Sequence, residues 1–316
     1  MSKYAIGIDV GGTTTKFGIV DEKGNILEQD RMPSNQHDII EDYIDELHSK
    51  MQPMIERAGG TANIKGIGMG APNGNIYTGT IEYAPNLKWK GIIPVAEMMQ
   101  KKFGLECKLT NDANAAAVGE MMYGCAIGMK HFITITLGTG VGSGIVIDGK
   151  IVVGHDGFAG ELGHTIIRPG GRLHKGTGMH GSLEAYASAT GVRDTAIELL
   201  TQHPEKESLL RNYALNDLTS QTVHECALQG DAIANDIFEF TGQILGESLA
   251  NFIMFSSPEA IVLFGGLTKA GPLLLNPTRQ YMEANLMPIF KNKVKLLFSE
   301  LKEADAAILG SSALVW

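Results

Sequence analysis

The chain has 316 residues, 44% of them hydrophobic and 19% charged, and a formal net charge of −9 at pH 7. That length carries cores for two domains, and an acidic chain with no basic block speaks against nucleic-acid or anionic-membrane partners. No apolar run reaches the length of a bilayer span. The first residues read straight into a strand, so no leader peptide is expected, and Cys107, Cys125 and Cys226 are scattered and odd in number. That cysteine usage predicts a reducing cytoplasm and no disulfide framework. Thirty-nine glycines exceed the usual share of about 7%, and many stand where a loop could meet a ligand.

In chain order, the first informative stretch is Ile6-Gly-Ile-Asp-Val-Gly-Gly-Thr-Thr-Thr-Lys-Phe-Gly-Ile-Val-Asp21. Apolar arms at 4–8 and 17–20 around a Gly/Thr link predict a β-hairpin turning at Gly11-Gly12. Without side chains in the way, the turn's amides can hold a phosphate, helped by the hydroxyls of Thr13 and Thr14 and the charge of Lys16. Asp9, closing the first arm, could hold a hydrated Mg²⁺ against that phosphate. It is not a Walker A loop, since no Gly-Lys-Ser/Thr follows the glycines. Taken alone it is equally an ordinary Gly-rich hairpin.

A strand is expected at 26–30, then an amphipathic helix at 38–58, kinked or broken near Pro53. A buried strand at 64–70 precedes Ala71-Pro-Asn-Gly74, and Ala84-Pro-Asn-Leu-Lys-Trp89 leads to a helix opened by Pro94 and running to Phe103. A strand at 107–110 feeds Asn111-Asp-Ala-Asn-Ala-Ala-Ala-Val-Gly-Glu120, which begins a helix. Asp112, between strand and helix, is either a helix cap or a carboxylate placed for proton transfer.

Then the opening motif recurs. Ile133-Thr-Ile-Thr-Leu-Gly-Thr-Gly-Val-Gly-Ser-Gly-Ile-Val-Ile-Asp148 aligns with residues 6–21 without a gap, turn on turn and closing aspartate on closing aspartate. Gly138, Thr139 and Gly140 fall at the second turn. A register held over the whole motif indicates internal duplication. Two related domains, each offering a phosphate-facing hairpin to a shared cleft, are the plan of the actin, hexokinase and Hsp70 ATPase superfamily, which the sequence resembles. The expected fold is therefore α/β: a two-domain actin-like ATPase, ribonuclease H-like, with an interdomain cleft. The expected division is 1–118 with a closing helix at 304–316, and 119–303.

Downstream, 154–181 is a glycine- and histidine-rich loop long enough to be functional. From Leu183 the pattern is mostly helical, with a long apolar helix at 231–255. A buried strand at 259–264 stops at Gly265-Gly266, a helix broken by Pro277 follows, and a strand at 294–298 precedes the last helix at 304–314.

Four segments in this order resemble the ROK family of repressors, open reading frames and sugar kinases. They are DVGGTTTK at 9–16, NDANAAAVGE at 111–120, GFAGELGH at 157–164 and SLEAYAS at 182–188. ROK repressors carry an added N-terminal helix-turn-helix domain, for which a hairpin starting at residue 6 leaves no room, so the kinase branch is expected. The resemblance implies Asp112 as the base that accepts a sugar hydroxyl proton. It implies Asn111, Glu161, His164 and Glu184, with Asn86 as a further contact, as the groups that bind sugar hydroxyls. Gly265-Gly266 matches the family's adenosine-side turn. ATP and Mg²⁺ are the implied cofactors, a hexose the partner and a homodimer the assembly.

One departure from the family stands out. The family's three structural zinc cysteines fall here on Lys175, Thr177 and Ser182, which make poor tetrahedral zinc ligands. No zinc is expected, with a displaced site on His164, His174 and His180 the lesser possibility. Bound sugar is then the expected agent ordering 170–181. The activity expected is phosphorylation of glucose at its 6-hydroxyl, ahead of an N-acetylmannosamine, N-acetylglucosamine, fructose or allose kinase. A sugar-sensing protein without catalysis would have lost Asp112 or the hairpin, and a chaperone- or actin-like ATPase would need an extension.

Overall fold

Residues 3–316 are described by the computed structural model. β1 (Tyr4–Val10) and β2 (Thr14–Asp21) pair antiparallel from Tyr4↔Asp21 to Val10↔Thr15. β3 (Ile26–Pro33) adds to β2. α1 (Ile40–Arg57) runs through Pro53 unbroken. Its buried stripe of Tyr43, Ile44, Leu47, Met51, Met54 and Ile55 continues on both sides of the proline, and that packing outweighs one lost backbone bond.

β4 (Ile64–Gly70) lies parallel to β1. β5 (Gly74–Asn75), β6 (Thr80–Glu82) and β7 (Ile92–Ile93) form a small antiparallel sheet of their own. α2 (Val95–Phe103) leads to β8 (Cys107–Thr110), parallel to β4, and α3 (Asp112–Tyr123) follows. The first large sheet is thus ordered β3-β2-β1-β4-β8.

The second copy builds the same order from β9 (Phe132–Leu137), β10 (Val141–Ile147) and β11 (Lys150–Ile151). After them come α4 (Glu184–Ala187), α5 (Ala189–Gln202), α6 (Ser220–Leu228) and α7 (Ala232–Ser256). β12 (Ala260–Phe264), α8 (Pro272–Ala284), β13 (Lys295–Phe298) and α9 (Glu303–Ala313) complete the chain. This sheet reads β11-β10-β9-β12-β13, with β12 parallel to β9 and β13 parallel to β12.

The expected break at Pro277 is absent, and α8 passes through it. The cause lies on α7, where a side chain at Gly242 would meet the Pro277 ring and one at Gly246 the Thr278 carbonyl. Two glycines let α8 approach closely, and that packing holds the helix across its missing hydrogen bond.

The chain separates into two compact units: Met1–Lys130 with Gly144–Gly160 and Ser299–Trp316, and His131–Ser143 with Glu161–Phe298. The first is built around Ile6, Ile8, Phe17, Ile19, Leu47, Ile67 and Met69, all fully buried. α9 belongs to it, and bare glycines at 7 and 68 admit the backbone of Ile308 and Ser311. The second unit buries Phe132, Ile133, Ile135, Ile237, Phe238, Leu245, Leu249, Ile261 and Leu263. Among the described residues, no helix is long and apolar enough to cross a membrane.

Candidate active site

Strand register decides what meets in the first unit. Asp9 pairs with Gly70, and Gly70 with Thr110, so the carboxyl ends of β1, β4 and β8 lie side by side. Thr110 is followed at once by Asn111 and Asp112, which brings the two aspartates to one sheet edge. Ligands of parallel α/β sheets bind at that edge. Burial pushes the Asp9 carboxyl up to about 7, the neighbouring Asp112 charge adds to the push, and Lys16 opposes it. Lys16 stands directly opposite Asp9 across the hairpin.

The cap of α3 is Asn111, whose side chain accepts the Asn114 N–H at 2.6 Å. Asp112 is therefore released from capping, and one of its oxygens takes the Ala113 N–H at 2.8 Å. Water reaches its side chain, yet protein crowding beyond that first layer raises its proton affinity through desolvation. The direction is upward, with the Ala113 N–H opposing the rise.

Around the first turn, Gly11 donates to the Thr14 carbonyl at 3.1 Å and the Thr13 carbonyl accepts from Ser34 at 2.9 Å. Thr15 is buried, its hydroxyl 2.8 Å from both Ser34 Oγ and Tyr43 Oη. Gly12 lies against the backbone of Asn86, where an added Cβ would have 3.0 Å of room. The exposed Asn86 side chain is thus carried beside the turn by its own backbone contact.

The second unit gathers its own set. Gly138 donates to Gly140 across the turn at 3.0 Å, and Gly142 to Thr136 Oγ1 at 3.0 Å. Glu184, first residue of α4, accepts the Val141 N–H at 2.6 Å, and a side chain at Gly140 would collide with that carboxylate. The Thr139 carbonyl takes the Thr190 hydroxyl at 3.1 Å. Pairing of Thr136 with Phe264 brings Gly265 beside Leu137; Gly265 has φ +107° and no room for a Cβ. Gly266 follows it.

Glu161 is exposed and precedes a short 3₁₀ turn, with its carboxylate 3.8 Å from His164 Nε2. Leu162 donates to Ser143 Oγ at 3.0 Å, tying that turn to β10. His164 Nδ1 is buried without a hydrogen-bond partner.

Zinc does not fit this loop. Lys175 and Thr177 are exposed residues, Ser182 is buried, and no group of three or more His, Cys, Asp or Glu among the described residues is placed to hold a metal ion. His180 turns instead to the Gly171 carbonyl at 2.9 Å.

The loop also has ties of its own that involve no sugar. Arg172 stacks on Tyr186 at 4.6 Å and donates to the Ala185 and Gly191 carbonyls at 2.7 and 3.0 Å and to Glu198 at 2.6 Å. These ties join the loop to α4 and α5 through groups outside the expected sugar-binding set. The sequence reading missed Arg172 and the hydroxyl of Ser143, because neither stands in a motif and their partners are distant in the chain.

So the first unit assembles Asp9, the Gly11–Gly12–Thr13–Thr14 turn, Lys16, Asn86, Asn111 and Asp112. The second assembles Gly138, Thr139, Gly140, Glu184, Gly265 and Gly266, with Glu161 and His164 on the turn bound to Ser143.

Comparison with known proteins matches residues 5–316 to the model of the ROK family. The chain is 35% identical to a glucokinase of Halalkalibacterium halodurans over 99% of its length and 95% of that protein's. A glucokinase of Thermotoga maritima is 32% identical over 98% and 96%. Among solved structures, a ROK glucokinase of Streptomyces griseus, in complex with glucose and AMPPNP, superposes with a TM-score of 0.81. It is 31% identical and covers 98% of each chain. The fold is the actin-like ATPase fold of those sugar kinases.

Proposed function

The chain belongs to the ROK family, and we infer from that membership that it phosphorylates glucose with ATP, giving glucose 6-phosphate. One observation carries the assignment of the base: with Asn111 capping α3, Asp112 stands uncommitted at the carboxyl edge of the sheet, beside Asp9. In this reading Asp112 accepts the proton of the 6-hydroxyl as its oxygen attacks the γ-phosphorus. Asn86, Asn111, Glu161, His164 and Glu184 take the sugar hydroxyls, whose directed hydrogen bonds give more selectivity than an apolar pocket. The unpartnered His164 Nδ1 supports its place in that set, because a buried polar atom calls for a partner.

The turns at Gly11–Thr14 and Gly138–Gly140 hold phosphate oxygens, with Lys16 adding charge, and Gly265-Gly266 borders the adenosine. Asp9 is the residue that would hold Mg²⁺. Its raised proton affinity marks a carboxylate short of positive charge, and Mg²⁺ brought by ATP needs only one or two protein carboxylates. The ion supplies neutralisation of the phosphate charge. We propose also a homodimer, as the family resemblance implies, and a reducing cytoplasm, as the three scattered cysteines suggest.

The test is a coupled ADP-release screen over glucose, fructose, mannose, N-acetylglucosamine and N-acetylmannosamine. Glucose should lead every N-acetylhexosamine by at least about tenfold in kcat/KM, within reach of pocket discrimination. The reverse ratio would make the chain an N-acetylhexosamine kinase.

A further inference from the structure

Glu184 is held by two donors. Its Oε2 takes the Val141 N–H at 2.6 Å, and its Oε1 lies 2.8 Å from Nε2 of His174. An ionised carboxylate only accepts, so the proton in the second contact is on the histidine. His174 Nδ1 is 2.8 Å from the Thr177 hydroxyl, which itself accepts the Met179 N–H at 3.3 Å and has its own proton left to give. With a neutral ring the bonds run from Met179 to Thr177, from Thr177 to His174 and from His174 to Glu184, with Nε2–H aimed at the carboxylate.

The histidine is locked in its turn. Its N–H donates to the Met179 carbonyl at 2.8 Å, and its own carbonyl accepts from Gly178 at 2.9 Å. Both side chains are mostly buried, 21% exposed for His174 and 14% for Glu184, where a hydrogen bond is electrostatically stronger than in water. Upstream, the Arg172 guanidinium anchors the loop to α4 and α5, so the ring cannot drift.

We propose that His174 is a positioning residue: braced by Thr177, it holds the Glu184 carboxylate in its sugar-binding rotamer. The inference rests on Glu184 binding a sugar hydroxyl. Each carboxylate oxygen has a second lone pair, so sugar can bind while His174 stays in place.

The experiment measures KM for glucose and for ATP, kcat and thermal stability of His174→Ala, His174→Gln, Thr177→Val and Glu184→Ala. Loss of one such bond predicts a glucose KM about tenfold higher in His174→Ala, with ATP KM changed by less than about twofold. Gln offers an amide donor near the position of Nε2 and should restore most of the affinity. Thr177→Val leaves the ring but removes its brace and should raise glucose KM by about threefold. Combined with Glu184→Ala, His174→Ala should add nothing further.

Unchanged glucose KM in His174→Ala overturns the proposal, as does equal impairment of His174→Ala and His174→Gln. Should His174→Ala not fold, an unchanged glucose KM in Thr177→Val overturns it instead. If Glu184→Ala itself leaves glucose KM unaltered, the sugar-site reading fails; if only the His174 and Thr177 variants are silent, this inference fails alone.

Discussion

Asp112 and Asp9 sit at one sheet edge, and substitution separates the roles proposed for them. Asp112→Asn keeps the shape and the Ala113 hydrogen bond but cannot take a proton. Its kcat should fall by about 10²–10⁴-fold, the usual contribution of a general base, with glucose affinity retained in calorimetric titration. Turnover near that of the parent chain would remove Asp112 from the role. Asp9 makes a pH-dependent prediction for the ligand-free protein. Its carboxyl is raised from 3.8 to about 7 by burial, then by the Asp112 charge. Between those values the folded state binds the proton that the unfolded state releases. Stability contributed by the protonated form is thus complete below 3.8 and lost as pH rises through about 7. Asn is neutral throughout. Asp9→Asn should therefore gain over the parent by less at pH 5 than at pH 8, where its Tm should exceed the parent's by at least about 2 °C, allowing for partial solvent contact. Scanning fluorimetry at both pH values decides it, and an equal gap at both would contradict the argument.

At the scale of elements, the glycines set the tolerances. A side chain at Gly68 on β4 would run into the Ser311 carbonyl of α9. Gly68→Ala should cost about 1–3 kcal/mol, the range for overpacking a filled core, and lower Tm by several degrees. A Tm unchanged by the substitution would show that α9 yields more easily than its backbone contacts imply. The same elements show what the sequence could reveal. Strands 64–70 and 107–110 were legible to the residue because short apolar runs were bounded by glycine, proline or a polar cap. The course of α8 was not, since Pro277 reads as a breaker until Gly242 and Gly246 are brought against it from the preceding helix. Asp112 was legible only as one of two alternatives, and in the fold the cap is taken by the Asn111 side chain. The loop at 170–181 was opaque for a similar reason: Arg172 meets Glu198 across 26 positions, which no local pattern announces.

For the whole molecule, duplication is the deepest legible feature, and both sheets repeat it: a hairpin extended on one side and two parallel strands on the other. The copies have diverged in detail. Asp21 accepts the N–H groups of Lys23 and Asn25 to close its turn, whereas Asp148 takes φ +52° ahead of Gly149. The 170–181 segment has diverged further, and it yields the last prediction. With Lys175 and Thr177 exposed, a tight zinc site lacks its thiolates. Purified protein should contain less than about a tenth of a zinc per chain, since tight structural sites depend on such ligands. Chelation should leave Tm and, once Mg²⁺ is restored, kcat unchanged. What remains to order the loop is Arg172, stacked on Tyr186 and bonded to Ala185, Gly191 and Glu198. Hydrogen exchange across 165–182 should therefore be slow without glucose and little changed with it. Arg172→Ala should accelerate it in both states. Stoichiometric zinc whose removal speeds that exchange, or protection gained only with sugar, would return the loop to a metal or to the substrate.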